Sequence, residues 1–320
     1  MTKPQIYKES YFNNVVIITG TLNSGKGMVA PIVASLQKAE PLRKLIETDQ
    51  IFYLAYLKKI PKSTAIFFVR HYLDKCFYEQ LIGRNLNFRI EDETSIFTAK
   101  NTLELSERIF VKRGNHIIKN NIKNKTIFTM DTHDGMMLFN FWKNVNKNFK
   151  FINVFRNPID TVNGCYNIGQ GELEKILFNE IIMFKKNKNI FPFHFLFNFK
   201  DYNKKSPMDR VIDIVLFCQR QEYKNYKKFK NYKNLLFIEN EDFATNTKKN
   251  IARICKFLKT NRSNKTGFIT KRENCPRKFD INVYKEKIKK IKFFSSKKSF
   301  EKLLEQEKAF FKRKKEVLNF

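Results

Sequence analysis

The string in this chain best suited to chemistry is Gly20-Thr-Leu-Asn-Ser-Gly-Lys-Gly27, which follows a short apolar run and precedes an apolar helical pattern starting near Met28. A strand, a glycine-bearing turn and a helix start form an anion cradle, because free N–H groups converge there and the helix dipole adds positive charge. Lys26 brings a mobile full charge to it. The spacing is G-x4-G-K, but Gly27 stands where a nucleotide triphosphatase has the Ser or Thr that ligates Mg²⁺. The loop therefore reads as P-loop-like and phosphate-binding, without that metal ligand. A second constellation, Arg156-Asn-Pro-Ile-Asp160, follows another apolar run. An arginine at the carboxyl end of a strand, beside a helix start, suits bidentate contact with a second phosphate. Taken singly, the first string also fits a tight turn with a surface lysine, and the second a structural cap.

The elements that position these residues are legible from periodicity. Val15–Thr19, Thr126–Met130, Phe151–Phe155 and Leu235–Ile238 read as buried strands bounded by Asn, Lys and Gly. Asn157-Pro158 predicts a helix N-cap followed by proline at the first helical position. Asn246 is a possible cap for a helix over 247–258, with Ile251, Ile254 and Leu258 on one face. Continuous apolar strands separated by helices predict an α/β fold, a parallel central sheet flanked by helices. Ligands in such sheets lie at the carboxyl ends of the strands, where both constellations fall. The expectation is a single domain over 1–320 with a helical insertion at about 40–120 and a basic helical tail at about 281–320. The Phe- and Lys-rich stretch 170–207 resists assignment. The tail's charge runs, KEKIKKIK and KRKKE, read as a solvated face.

A length of 320 residues suffices for one large core. With 62 Lys+Arg against 31 Asp+Glu, the formal charge is +31, which favours polyanionic partners. The excess is scattered lysine among abundant Asn, Ile and 34 Phe, so it reads as a generally basic surface, with no dedicated nucleic-acid groove and with room for peripheral contact with a membrane. Five cysteines, an odd number with no CxxC pair, fit reduced thiols and argue against a disulfide scaffold or a zinc site. The start MTKPQIYKESYFNN lacks a signal-like apolar stretch, and no run approaches a membrane span. A cytoplasmic location is the expectation.

Taken together, the two constellations resemble the sulfotransferase family, whose members use 3′-phosphoadenosine 5′-phosphosulfate (PAPS) as donor. The family's first-strand loop, of the form [KR]-S-G-T-T, is similar to Asn23-Ser24-Gly25-Lys26-Gly27. Its second signature, R-[ND]-P-x-D-x-x-x-S, is matched by Arg156 through Asp160, with Gly164 at the serine position. Thr132-His133 looks like the family's Lys-Thr-His segment, and LLFIENEDF with the following helix like its Tyr-Glu-Asp-Leu strand. The resemblance covers about a quarter of the chain: 14–35, 126–166 and 234–258. It implies PAPS as co-substrate with no metal. It also implies 5′-phosphosulfate contacts from Asn23, Ser24, Gly25, Lys26 and Gly27, and 3′-phosphate contacts from Arg156 and the Gly164 position. His133 is then the base, and Lys26 stabilises charge on the donor oxygens. The acceptor would be a hydroxyl or amine of a carbohydrate, lipid-linked sugar or small metabolite. The departures are Asn23 for a basic residue, Lys26-Gly27 for the Thr pair, Gly164 for Ser, Asn240 for Tyr and Asp131 for Lys.

Two other readings stay open. A P-loop NTPase or small kinase gains from G-x4-GK and from Asp131 as a Walker-B-like carboxylate, but leaves Arg156–Asp160 without a role. A non-catalytic sulfotransferase-like binding protein is the other. Asp131 and Asp134 flank His133 and are alternative bases. Arg84 and Arg89 read as acceptor or phosphate contacts or as a surface pair, and His71, His116 and His194 as structural.

Overall fold

Val15–Gly20 forms strand β1, buried along its whole length. Its side chains divide between two cores, Val15 and Ile17 on one face and Val16 and Ile18 on the other, as the two-residue period of a strand requires. The computed structural model describes residues 8–98, 102–172, 182–186, 189–192 and 202–318, so His194 lies outside the described residues. Helix α1 (Lys26–Ala34) follows β1, then edge strand β2 (Arg43–Lys44) and helices α2 (Ile46–Tyr56), α3 (Lys62–Leu81), α4 (Thr102–Glu107) and α5 (Asn115–Asn124). Strand β3 (Phe128–His133), α6 (Phe139–Val145), β4 (Lys150–Phe155) and α7 (Pro158–Asn167) come next. A hairpin of β5 (Met183–Lys186) and β6 (Asn189–Pro192) leads to α8 (Pro207–Phe229) and β7 (Leu235–Glu239). The chain closes with α9 (Asn240–Thr245), α10 (Thr247–Leu258), α11 (Thr266–Arg272), α12 (Ile281–Phe294) and α13 (Lys297–Leu318).

The central sheet has the order β2-β3-β1-β4-β7, and each of its pairings is parallel. One face is covered by α2, α3 and α6 through Phe52, Tyr53, Leu73, Phe77 and Trp142. The other is covered by α1, α10 and α11 through Val29, Val33, Ile251, Ile254 and Ile269. From β1 the chain crosses to β2, beyond β3, whereas from β4 it crosses the other way to β7, so the crevice between the neighbouring β1 and β4 is a topological switch point.

Three differences from the sequence reading have physical causes. Strand β3 runs on through Asp131, Thr132 and His133, because these polar residues pair with Ile18, Thr19 and Gly20 at the end of β1. Segment 40–120 is mainly helical, yet it also supplies β2 and the α2–α3 pair that covers the sheet, so its inner half is part of the main core. The tail breaks at Ser295-Ser296, where the backbone N–H of Ser296 donates to Asp209 Oδ1 at 2.9 Å. Its last charge run is not wholly solvated. Arg313 is buried against Phe155, Tyr226 and Phe237, with its guanidinium 3.3 Å from Glu222, and Lys314 reaches Glu239 at 2.8 Å. The Asn157 cap has the expected form: its side chain accepts from Ile159 N at 2.7 Å, with Pro158 opening α7.

Candidate active site

The loop after β1 folds back by a turn in which Ser24 N–H donates to Thr21 carbonyl at 3.0 Å. Asn23 takes φ 54° and Gly25 φ 89°. Gly25 caps α1 with no side-chain hydrogen bond, which leaves the helix start to its own N–H groups. Only glycine fits there: a Cβ would lie 1.8 Å from Asn240 Oδ1, and the left-handed backbone strains any other residue. Gly25→Ala is therefore expected to cost about 1–3 kcal/mol of stability and to displace the loop. Urea unfolding measures this, and an unchanged midpoint would contradict the tight approach of Asn240. Ser24 is fully buried, its Oγ packed toward Gly20 without a hydrogen-bond partner.

Lys26, the first residue of α1, is buried, and its Nζ lies 2.8 Å from His133 Nδ1. Gly20 and His133 are register partners at the ends of β1 and β3, so topology joins two residues far apart in sequence. Burial lowers the lysine pKa, opposed by the carboxylates of Asp131, Asp134 and Asp49. Burial, then the charges of Lys26 and Lys44, hold His133 well below the ordinary histidine value. The imidazole is thus neutral. A neutral imidazole whose Nδ1 accepts from Lys26 carries its ring hydrogen on Nε2.

Around this pair lies a shell of which the sequence singled out only Asp131 and Asp134. Asp49, on α2, accepts the backbone N–H of His133 at 2.7 Å and is pushed well above the usual carboxylate range by burial and by Asp134. Tyr53, one turn on, donates to Asp134 Oδ2 at 2.6 Å. Burial raises Asp134 to about 6. Glu93, from the segment between α3 and α4, lies over the loop: a Cβ on Gly27 would stand 3.0 Å from its Oε1. Burial and Asp131 raise its pKa.

The second constellation joins the first directly. Arg156 Nη1 donates to the Asn23 carbonyl at 3.0 Å, and the Asn23 side chain turns to α7, with Nδ2 3.4 Å from Cys165 Sγ. Gly164 packs on that side chain, since a Cβ there would lie 3.2 Å from Asn23 Cγ. On its other side Arg156 Nε faces Glu241 Oε1 at 3.6 Å. Burial, then Glu239, pushes the Glu241 carboxyl up to about 8. From Arg156 a groove of about 320 Å³ opens toward Arg277, Lys278 and Lys287, the last paired with Asp160 at 2.5 Å. It adjoins an apolar cavity of about 500 Å³ bordered by Phe279, Tyr284, Phe310 and Phe311.

The structure thus brings together Asn23, Ser24, Gly25, Lys26, Gly27, His133, Arg156 and Gly164. Arg84 and Arg89 form ion pairs with Glu79 at 3.2 Å and Asp92 at 3.3 Å. His71 stacks on Phe67. Arg277 and Lys278 were missed because no apolar rhythm or motif marks them. Among the described residues no group of three or more His, Cys, Asp or Glu has a metal-binding arrangement, and no helix is long and apolar enough to cross a membrane.

No family model matches the sequence, and no curated protein matches it. Several solved structures are similar to the chain, three of them as follows. The sulfotransferase domain from the curacin biosynthetic pathway shares 10% identity over 79% of this chain and 76% of that chain, with a TM-score of 0.41. The sulfotransferase domain from the Synechococcus PCC 7002 olefin synthase shares 11% identity over 87% and 81%, with a TM-score of 0.40. Sulfotransferase STF9 from Mycobacterium avium shares 8% identity over 87% and 75%, with a TM-score of 0.39. These structural neighbours are sulfotransferases.

Proposed function

We propose that the chain is a PAPS-dependent sulfotransferase that transfers a sulfuryl group to a hydroxyl or amine of a carbohydrate, lipid-linked sugar or small metabolite. The observation that supports this reading is the bond from Arg156 to the Asn23 carbonyl, which ties the glycine-bearing loop, with Gly27 in place of a metal-ligating Ser or Thr, to a second groove lined by Arg156, Arg277 and Lys278. A triphosphate chain bound along one loop has no use for that second groove. A nucleotide phosphorylated at both the 3′ and 5′ positions does. The residues fit such a ligand: an uncapped helix start behind Gly25, a buried Lys26, and Arg156 with Arg277 and Lys278 at the groove. Phe279 and Tyr284 offer ring faces to a base.

When bound, the donor supplies the activated sulfuryl group. Transfer then needs charge neutralisation and positioning more than covalent help. Lys26 supplies positive charge at the loop, and the helix start holds the anionic arm. The role of His133 follows from its hydrogen bond. While Lys26 donates to Nδ1, the imidazole has no free lone pair to take a proton. Turning the lysine toward an anion in the loop releases Nδ1 as a base. Asp49 fixes the His133 backbone, and Tyr53 holds Asp134, the alternative proton acceptor. The competing kinase reading draws on Asp131, buried in the strand beside β1, whose charge acts on Lys26. Release of adenosine 3′,5′-bisphosphate from PAPS, stimulated by an acceptor and insensitive to chelator, tests the proposal; chelator-sensitive turnover of ATP would favour the kinase.

Glu241 gives the binding step a pH dependence. Below about 8 its carboxyl is protonated and leaves Arg156 available; above that value it is anionic, pairs with Arg156 and repels phosphate. Affinity for adenosine 3′,5′-bisphosphate is expected to fall about five- to tenfold from about pH 7 to 9, a range in which phosphate is already largely doubly ionised. Glu241→Gln should flatten that slope. Calorimetry at several pH values measures it, and an identical slope in the variant would remove Glu241 from the site.

A further inference from the structure

The hairpin tip between α12 and α13 combines two features that each oppose stability in water. Between Glu286 and Glu301 the chain reads KIKKIKFFSSKKSF, six lysines and no acid. At its centre Phe293 is 82% exposed and Phe294 46%. Lys297 and Lys298 open α13, which has no acidic residue in its first turn, so two cations stand at the positive end of a 22-residue helix. Nothing in this arrangement is loose. Ser296 Oγ and N–H both reach Asp209 Oδ1, Ser206 Oγ donates to the Phe294 carbonyl at 3.2 Å, and Ser295 N–H donates to the Ile291 carbonyl at 3.0 Å. Phe294 stacks on Tyr166 at 5.8 Å, and Lys290 reaches Asn167 at 2.7 Å and lies over the Tyr166 ring. The tip is held rigidly with its aromatic point outward.

We propose that this tip is a docking point for an anionic lipid bilayer, with Phe293 inserting at the headgroup boundary and Lys292, Lys297 and Lys298 meeting the charged headgroups. Charge complementarity selects the occupant. A surface both apolar at shallow depth and negative outside it offsets the exposed ring and the adverse helix-end charges together. The ring geometry distinguishes a bilayer from a nucleic acid. Phe293 and Phe294 meet edge to face at 86°, and one face of Phe294 is covered by Tyr166, so no pair of open parallel faces awaits stacked bases. The proposal is independent of the reaction assigned to the site.

Sedimentation of the full chain with vesicles tests it without any activity assay. Binding to phosphatidylcholine vesicles containing about one-quarter phosphatidylserine is expected to be at least tenfold tighter than to phosphatidylcholine alone, and to weaken with salt. Lys297→Gln with Lys298→Gln should lower it about 25-fold, roughly fivefold per lysine. Phe293→Ser should lower it about tenfold while leaving the salt dependence as it was. Lys119→Gln with Lys123→Gln on α5, an equal change of charge elsewhere, should alter it less than about twofold. Melting temperatures matching the parent establish that the variants fold. Equal losses from the α5 pair and the tip pair would overturn the proposal, because overall charge would then explain binding. So would tight binding of a single-stranded oligonucleotide that both tip variants abolish.

Discussion

Replacing Lys26 or His133 by alanine is expected to lower turnover by about 10²–10⁴-fold while leaving affinity for adenosine 3′,5′-bisphosphate within a few-fold of the parent. The two residues form one unit through the 2.8 Å contact between Nζ and Nδ1. In the proposed reaction the buried Lys26 faces the negative charge that grows on the departing oxygen, so its contribution rises from ground state to transition state. In the proposed reaction His133 takes a proton only once the lysine turns away, so its loss removes the base that this movement frees. For that reason the double variant should be little worse than either single one, as with other groups acting together. Stopped-assay kinetics beside calorimetry separates the outcomes. An equal loss in turnover and in product affinity would reduce Lys26 to an anchor. If His133→Ala retains activity while Asp131→Asn or Asp134→Asn loses it, a carboxylate is the base. The value of about 6 for Asp134 makes that a chemically sound alternative.

Arg156→Ala is expected to weaken adenosine 3′,5′-bisphosphate at least tenfold and to leave adenosine 5′-phosphosulfate, which has no 3′-phosphate, nearly unaffected. Loss of one or more charge-assisted hydrogen bonds, about 1.5–3 kcal/mol each, sets that minimum. The side chain also holds the Asn23 carbonyl and faces Glu241, so removal leaves both without this donor. Arg156→Lys keeps the charge and loses the planar fork, and should lie between the parent and the alanine variant. Gly164 offers no side chain to that phosphate, which leaves Arg277 and Lys278 as the neighbouring groups that add to Arg156. Equal weakening of both nucleotides would mean that Arg156 serves the fold alone.

The parts of this architecture set by local chemistry were legible in the sequence. Apolar runs marked β1, β4 and β7 to within a residue or two, and Asn157-Pro158 marked the start of α7. Helix α10 began and ended where its periodicity placed it. The end of β3 was not legible, since Asp131-Thr132-His133 is polar and becomes strand only by pairing with β1. Lys26, His133 and Arg156 could be named, but their contacts could not. The Lys26–His133 hydrogen bond follows from strand register, and the Arg156–Asn23 bond from the adjacency of β1 and β4. Asp49, Tyr53 and Glu93 carried no signal, because an acid or tyrosine on a helix or surface turn gains its place only when tertiary packing brings it beside Lys26, His133 and the loop after β1. Arg313 in the tail shows the converse: one member of a charge run that read as solvated is buried among aromatic rings.

The central claim is that the loop and the Arg156 groove form one site for a nucleotide with phosphates at both ends of its ribose. Side-by-side calorimetric titration with adenosine 3′,5′-bisphosphate and with ATP–Mg²⁺ tests it most directly. Saturable binding of the bisphosphate, at least tenfold tighter than ATP–Mg²⁺ and indifferent to chelator, is the expected result. Tighter binding of ATP–Mg²⁺, abolished by chelator, would contradict it.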